Sequence, residues 1–258
     1  MSDEQKPYFD EKPPENQQPQ TPPQAEIKVS LPAKKPLVTN AILGITIVIF
    51  VIQLLTQRFM GIDLPFVYLG KINQFILQGQ LWRFFTPMFV HGDILHIAFN
   101  MYALYIFGRN LEYQYGHFRF FMLYVVSAFA GNVVSFVLTP NPSLGASTAI
   151  FGLLAAQAVF IFRNKRFFGK RGQSILMNTV LILVVNLVLG LSPQIDNWGH
   201  LGGLLGGAVF AWAAGPLWKI NPQLGGFKVE DQQPASNTIV ASIIVIVAFA
   251  TLALVRWI

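Results

Sequence analysis

The chain has 258 residues, of which 53% are hydrophobic and only 12% are charged, so it carries far less charge than a soluble domain of this size. It contains no cysteine, which excludes disulfide bonds, thiolate metal sites and a cysteine nucleophile. A net charge of +6 would suit nucleic acid, but the basic residues concentrate in the joints between apolar segments. The composition therefore predicts a membrane protein that does not bind nucleic acid.

The first 36 residues differ in composition from the rest of the chain. They hold eight of the 16 prolines, together with many glutamine and charged residues. Such a segment buries too little apolar surface to offset the entropy that is lost on ordering. We therefore expect residues 1–36 to be a disordered, Pro/Gln-rich cytoplasmic tail.

Apolar stretches separated by short polar joints occupy the remainder of the chain. Most of them are long enough to cross a hydrocarbon core of ~30 Å. We predict seven membrane spans and an all-α polytopic membrane fold. The predicted spans are 38–57, 93–111, 118–138, 147–162, 174–191, 199–215 and 238–257.

The basic residues divide unequally between the two sides of the predicted membrane. With the N-terminus in the cytoplasm, 14 of the 18 Lys and Arg residues fall on the cytoplasmic side. Positively charged joints preferentially stay in the cytoplasm during insertion. The pattern predicts a cytoplasmic N-terminus and an outer C-terminus. The residues left on the outer side are Arg58, Lys71, Arg83 and Arg256.

A long loop rich in aromatic side chains joins the first two spans. Aromatic rings favour the headgroup region of a bilayer, and backbone embedded there has to bond internally or be covered by protein. We expect this loop to lie in the interface. From composition alone, its Trp82-Arg83 pair is typical of an interface anchor.

Two of the spans are short and begin with a polar side chain. The sixteen steps from Ser147 to Arg163 rise only about 24 Å, which is less than the hydrocarbon core. Counting back from Pro216 places His200 about 24 Å above the inner end of its own span. Both side chains are therefore expected inside the membrane, at similar depth on the outward half.

The second span contributes a further pair of polar residues. His96 lies about 20 Å above Arg109 by the same arithmetic, and Asn100 lies one turn deeper. Residues four apart share one helical face, so both side chains can donate hydrogen bonds into the same space. Interhelical hydrogen bonding alone would also explain them.

Ser147 and His200 together suit nucleophilic catalysis. A serine hydroxyl needs a nearby base to accept its proton, and neutral imidazole fits that role near pH 7. Taken separately, Ser147 is typical of packing or capping, and His200 of an interhelical hydrogen bond. Asp196 lies at a loop edge, so we expect a two-residue dyad and not a triad.

Small residues on two spans would allow the dyad to form. Glycines recur every four residues on the span of His200, and small residues follow Ser147 on its own span, so the two helices can approach closely. The small positions are Gly199, Gly203 and Gly207 on one span, and Gly152, Ala155 and Ala156 on the other.

The motifs in combination resemble the rhomboid intramembrane serine proteases, over about residues 38–215. The resemblance rests on five motifs in the family's order. They are Trp82-Arg83, His96-Ile-Ala-Phe-Asn100, Glu112-Tyr-Gln-Tyr-Gly116, Gly145-Ala-Ser147-Thr and Gly199-His200-Leu-Gly-Gly203.

The resemblance implies a role for each of these positions. Ser147 would be the nucleophile and His200 the general base, with His96, Asn100 and the Ser147 backbone N–H forming the oxyanion hole. Gly145 would shape the serine loop. Phe151 stands where many family members carry a tyrosine that packs on the base, so the ring is kept and a hydroxyl is lost.

The resemblance also implies a division of the chain and a class of substrate. Residues 37–217 would form a six-helix protease core, and residues 218–258 a linker with an additional C-terminal span. The expected substrates are single-span membrane proteins cleaved in or near the bilayer of the plasma (inner) membrane. No cofactor and no metal are implied.

Two other functions fit parts of the sequence. A catalytically inactive rhomboid-like protein would use the same fold to bind membrane clients. A small transporter would also have glycine-broken helices and buried polar residues, but it typically shows two similar halves, and we find no internal repeat. No pattern in the sequence predicts an oligomeric state, a particular substrate or the position of a substrate gate.

Overall fold

The computed structural model of the protein describes residues 26–29, 35–223 and 226–257. Within these ranges most of the chain is helical, and a π-helical stretch, Leu104–Gly108, joins α4 to α5. The helices are α1 (Leu37–Met60), α2 (Leu64–Leu69), α3 (Asn73–Leu77), α4 (Ile94–Ala103), α5 (Arg109–Tyr115), α6 (His117–Leu138), α7 (Ser147–Arg163), α8 (Lys165–Leu189), α9 (Asn197–Ala214) and α10 (Ser236–Leu254).

Each predicted span overlaps one of these helical segments, with α4, the π-helical stretch and α5 together forming the second. The predicted all-α polytopic fold, with a bundle of six spans and a seventh C-terminal helix, is confirmed. Among the described residues, α1, α6, α8 and α10 are long and apolar enough to cross a membrane by length and composition, and α7 is a shorter apolar helix. The protein is an integral, multi-pass membrane protein.

The helix α9 lies against α6 and α7 through two faces made of glycine. A Cβ atom on Gly203 would lie 2.0 Å from the Thr148 carbonyl oxygen of α7, and one on Gly207 would lie 2.4 Å from the Gly152 Cα. On the neighbouring face, a Cβ atom on Gly206 would lie 2.4 Å from the Ala130 Cβ of α6. Since lipid offers no hydrophobic driving force for association, such close backbone contact supplies the packing energy.

The helix α6 is the centre of the bundle and is buried along most of its length. In contrast, α1, α8 and α10 present wide apolar faces that remain exposed in the isolated chain. Those faces are suited to contact with lipid acyl chains. The inner helices α6, α7 and α9 therefore form the core in which polar side chains can be held.

The loop of residues 61–93 packs on α6. Phe84 makes edge contacts with Phe129 and Phe136, and the Asn132 amide donates to the Phe84 carbonyl at 3.0 Å. The short helices α2 and α3 pair much of the loop's backbone. The expectation that this backbone bonds internally is met by these turns and by the contact with α6.

Trp82 and Arg83 have different environments within this loop. The Arg83 guanidinium is buried and donates to the carbonyls of Gly70 and Val67, each at 2.7 Å. The Trp82 ring is half exposed, and its Nε1 donates to the Tyr68 carbonyl at 3.1 Å. Arg83 thus stabilises the loop from inside through these hydrogen bonds, while Trp82 has the exposure expected of an interface anchor.

A small β-sheet, which the sequence analysis did not predict, lies between α9 and α10. β2 (Trp218–Gln223) and β3 (Gly226–Asp231) are antiparallel, and β1 (Glu26–Val29) pairs with β3 in parallel. Residues 26–29 therefore form a strand, because β3 supplies the hydrogen-bonding partner that this short segment does not have by itself. The rest of the predicted disordered tail, up to residue 34, lies outside the described residues.

An ion pair joins the sheet to the helices. Arg119 of α6 donates to the Asp231 carboxylate at 2.7 Å and to the Gln233 carbonyl at 3.2 Å. Its Nε also donates to the Thr238 hydroxyl of α10 at 3.4 Å. The described part of the segment 218–258 is therefore attached to the bundle through α6, not only through the chain connection.

The glycine contact of α9 with α7 can be tested by adding one methyl group. In Gly203→Ala the new Cβ meets the Thr148 carbonyl, so the helices have to separate, at a cost of about 1–3 kcal/mol. We expect a Tm several degrees lower in detergent by scanning fluorimetry. Gly44→Ala on α1, where a Cβ meets nothing within 4 Å, is the matched control and should not lower Tm. Equal effects from both variants would contradict the packing.

Candidate active site

Ser147 is the first residue of α7 and is presented by a tight backbone turn. Gly145, two residues earlier, has φ +121°, which side-chain-bearing residues rarely adopt. As the first helical residue, Ser147 has a backbone N–H that no carbonyl of its own helix pairs. The turn thus places Ser147 at the start of α7, where the residue is half-buried.

His200 lies in the first turn of α9 and points at Ser147. The distance between Ser147 Oγ and His200 Nε2 is 2.9 Å, which is a hydrogen bond. His200 is buried while Ser147 is half-buried, so the pair is covered on the histidine side and open on the serine side. The structure therefore brings together two side chains that are 53 residues apart in sequence.

The Phe151 ring stacks on the His200 ring. The two rings are stacked, with centroids 4.2 Å apart and planes inclined by 10°. Phe151 comes one helical turn after Ser147, so α7 supplies both the hydroxyl and the surface on which the imidazole rests. A phenyl ring fixes the plane of the imidazole without offering it a hydrogen bond.

His96 of α4 lies against Gly145. A Cβ atom on Gly145 would come within 2.8 Å of His96 Nε2, so only glycine leaves room for this imidazole. The Gly92 backbone N–H donates to His96 Nδ1 at 3.4 Å. Nδ1 is therefore an acceptor, and the ring proton resides on Nε2, on the side that faces the serine loop.

Asn100 lies one turn below His96, as the spacing predicted. Its amide donates to the His96 carbonyl of the same helix at 2.9 Å, and the side chain is mostly buried. An amide carries two N–H groups, so one donor remains after this bond. His96 and Asn100 thus share one face of α4, and His96 is the one in direct contact with the serine loop.

His91 is a residue at the site that the sequence analysis missed. Its Nε2 accepts a hydrogen bond from the Ala146 N–H at 3.4 Å, and its ring meets that of His96 edge-on at 5.1 Å. Burial, with the neighbouring His96, lowers the pKa of His91 to about 3, so the ring stays neutral at physiological pH. The available signal was a histidine in the loop only five residues before His96.

Gln53 of α1 holds His91 in place. Its amide oxygen accepts from the His91 N–H at 3.0 Å, and its nitrogen donates to the His91 carbonyl at 3.0 Å. The same nitrogen donates to the Asp63 carboxylate at 2.7 Å. The first span therefore reaches the serine loop through a chain of contacts from Gln53 to His91 to Ala146.

Asp196 forms no side-chain hydrogen bond with His200 among the described residues. Its carboxylate accepts from the Gly199 N–H at 2.9 Å, as a cap of α9, and bonds to the Ser135 hydroxyl. His200 Nδ1 has no hydrogen-bond partner within the described ranges. In the same part of the chain, no three His, Cys, Asp or Glu side chains converge to hold a metal ion. Trp82 and Arg83 make their contacts inside the 61–93 loop.

The fold and the site together define a class of protein. It is a polytopic helical membrane protein with a serine–histidine pair between two packed helices. The family model described as "Rhomboid domain" matches residues 78–217, which is more than half of the chain and includes Ser147 and His200. The chain belongs to the rhomboid family.

Curated relatives agree with this assignment. "Rhomboid protease GluP" of Bacillus subtilis (strain 168) is 36% identical over 182 residues, which cover 70% of this chain and 35% of the relative. The Arabidopsis thaliana proteins "RHOMBOID-like protein 9, chloroplastic" and "RHOMBOID-like protein 6, mitochondrial" are 34% and 36% identical, over 62% and 58% of this chain. The matches cover 37% and 48% of those two relatives, so this chain spans less than half of each relative's length.

The two hydrogen bonds between the Gln53 side chain and the His91 backbone can be tested by substituting Gln53. In Gln53→Ala the buried N–H and carbonyl of His91 lose their partners, at a cost of about 1–3 kcal/mol for each group left unsatisfied. We expect a clear fall in Tm by scanning fluorimetry. Gln57→Ala, one turn along α1 at an exposed position, is the control and should leave Tm unchanged. If Gln53→Ala is as stable as the wild type, these hydrogen bonds to His91 do not stabilise the fold.

Proposed function

We propose that this chain is an intramembrane serine endopeptidase that hydrolyses peptide bonds in or near the spans of membrane proteins. The observation that carries the proposal is the 2.9 Å hydrogen bond between Ser147 Oγ and His200 Nε2. Membership of the rhomboid family and similarity to a relative named a rhomboid protease support it. In this proposal Ser147 is the nucleophile and His200 the general base.

The chemistry follows from the tautomer of His200. With its proton on Nδ1, the imidazole accepts the Ser147 proton at Nε2 while Oγ attacks the scissile carbonyl carbon. The resulting imidazolium then gives this proton to the leaving amine, and an ester on Ser147 remains. A water molecule, deprotonated by His200 in the same way, hydrolyses the ester and restores the serine.

We propose that the oxyanion formed at each step is held by groups around the serine loop. The Ser147 N–H lies at the start of α7, where the helix dipole also favours negative charge. His96 carries its proton on Nε2, next to Gly145, and Asn100 retains a free N–H. Gly145 supports this arrangement by leaving space for His96, and Phe151 supports it by orienting His200.

The membrane sets the remaining features of the proposed reaction. A substrate helix hides its carbonyls in backbone hydrogen bonds, so it has to unwind before Ser147 can attack. We propose single-span membrane proteins as substrates. The excess of Lys and Arg on one side supports a cytoplasmic N-terminus in the plasma (inner) membrane and a site that opens toward the outer face. We also propose residues 37–217 as the catalytic core, with Trp82 and Arg83 ordering its 61–93 loop.

Cleavage of a model single-span substrate in liposomes tests the proposal. The wild type is expected to cut it, and Ser147→Ala and His200→Ala each to lose at least about 10³-fold in rate, because neither partner works without the other. Ser242→Ala on α10, which changes a buried serine outside the site, is the control and should keep the wild-type rate. Cleavage that survives Ser147→Ala contradicts the nucleophile. A folded wild type that binds substrate without cutting favours the inactive client-binding function.

The oxyanion donors can be tested with a matched pair of asparagines. Asn100 and Asn186 each donate to the carbonyl four residues earlier, at 2.9 and 2.8 Å, but only Asn100 lies beside the site. We expect Asn100→Ala to lower kcat by about 10²-fold with a smaller change in KM, since the donor acts mainly on the transition state. Asn186→Ala should leave both constants unchanged. Equal effects of the two substitutions would exclude the proposed role of Asn100.

A further inference from the structure

A lysine is fully buried beside the active site without taking part in the proposed chemistry. Lys71 belongs to the 61–93 loop, and its side chain has no exposed surface. Its Nζ donates to the Ser135 hydroxyl of α6 at 2.8 Å. The Ser135 hydroxyl in turn bonds to the Asp196 carboxylate, which caps α9. A chain of three side chains thus links the loop to α9 across α6.

Both ends of this series of hydrogen-bonded side chains are linked to the backbone near Ser147 and His200. The Lys71 backbone forms two hydrogen bonds with Ser143, of 2.9 and 3.0 Å, in the segment that leads into Ser147. At the other end, the Asp196 carbonyl accepts from the His200 N–H at 3.1 Å. The three side chains therefore connect the backbone just before Ser147 with the first turn of α9, which carries His200.

Charge compensation explains why these three side chains stay bonded to one another. A buried ammonium group is costly unless an opposite charge compensates it. Burial lowers the pKa of Lys71 to about 8, the Asp196 carboxylate acts against this shift, and the Arg256 guanidinium adds to it. The charged groups that face Lys71 are thus Asp196 from α9 and Arg256 from the end of α10, with Ser135 of α6 between Lys71 and Asp196.

We propose that Lys71, acting through Ser135 and Asp196, is a positioning residue that fixes the first turn of α9 and thereby the placement of His200 against Ser147. The inference rests on the proposed protease function for its kinetic consequences. It does not make Lys71 catalytic, because Lys71 contacts neither Ser147 nor His200. Its effect is to hold together two backbone segments that have to keep their spacing during acylation.

The proposal predicts a specific kinetic pattern. Lys71→Met keeps the length of the side chain but removes its charge, so Ser135 loses the Lys71 donor and the Asp196 carboxylate loses its nearby positive charge. We expect kcat to fall about tenfold or more with KM little changed, because small displacements of reacting groups cost rate more than binding. Lys71→Arg should restore most of the rate. Lys71→Met combined with Asp196→Asn should be no slower than the slower single variant, since both break the same chain.

The pH dependence separates positioning from a merely structural role. In the wild type Lys71 loses its proton as the pH rises through about 8, so the rate should fall there. A guanidinium stays charged throughout this range, and Lys71→Arg should keep its rate above pH 8. Lys71→Met should lack this step altogether. Arg58→Met, which removes an exposed cation from the end of α1, is the control and should keep the wild-type profile.

Hydrogen exchange of the α9 amides, followed in the same full-length variants, tests the proposal without turnover. We expect Lys71→Met and Ser135→Ala to speed exchange in the first turn of α9 but not near Phe210. Unchanged exchange, or an unchanged kcat in both variants, would overturn the proposal. A wild type without any activity would refute the protease function while the exchange result still decides the role of Lys71. If Lys71→Met does not fold, Ser135→Ala and Lys71→Arg give the same comparison.

Discussion

The placement of the Ser147–His200 pair depends on how closely α9 approaches α7. Gly203 and Gly207 bring the two backbones into contact, with no room for a Cβ on α9. Because His200 lies one turn before Gly203, this contact sets the 2.9 Å distance between the histidine and the serine. A second glycine face lets α9 rest on α6 as well. The bundle thus uses small residues to place a polar pair where lipid would otherwise disfavour it.

Several other buried polar groups near the site are paired within the protein. Arg83 satisfies loop carbonyls, Gln53 holds the His91 backbone, and Lys71 reaches Asp196 through Ser135. In an apolar environment an unpaired polar group costs several kcal/mol, so these bonds leave few alternative arrangements. The loop, α1 and α9 are consequently fixed relative to the serine loop before any substrate arrives. Such preorganisation is what electrostatic stabilisation of an oxyanion requires.

Hydropathy and span length predicted the helical fold because both are local properties of the sequence. The short spans that begin at Ser147 and near His200 predicted a common depth, and the two side chains are within hydrogen-bond distance. Long-range pairing was not predictable in the same way. The strand at 26–29 depends on a partner 200 residues later, and neither segment is apolar enough to indicate a strand alone. The roles of His91 and Lys71 likewise depend on contacts between loops and helices that no spacing in the sequence reveals.

We propose that Ser147 is a nucleophile activated by His200. A fluorophosphonate reacts with such a serine irreversibly, so labelling of the wild-type protein in liposomes followed by peptide mass spectrometry tests this role. We expect a single adduct, on Ser147, that is absent in His200→Ala although Ser147 is still present. An adduct on another residue, or equal labelling of Ser147 without His200, would contradict it.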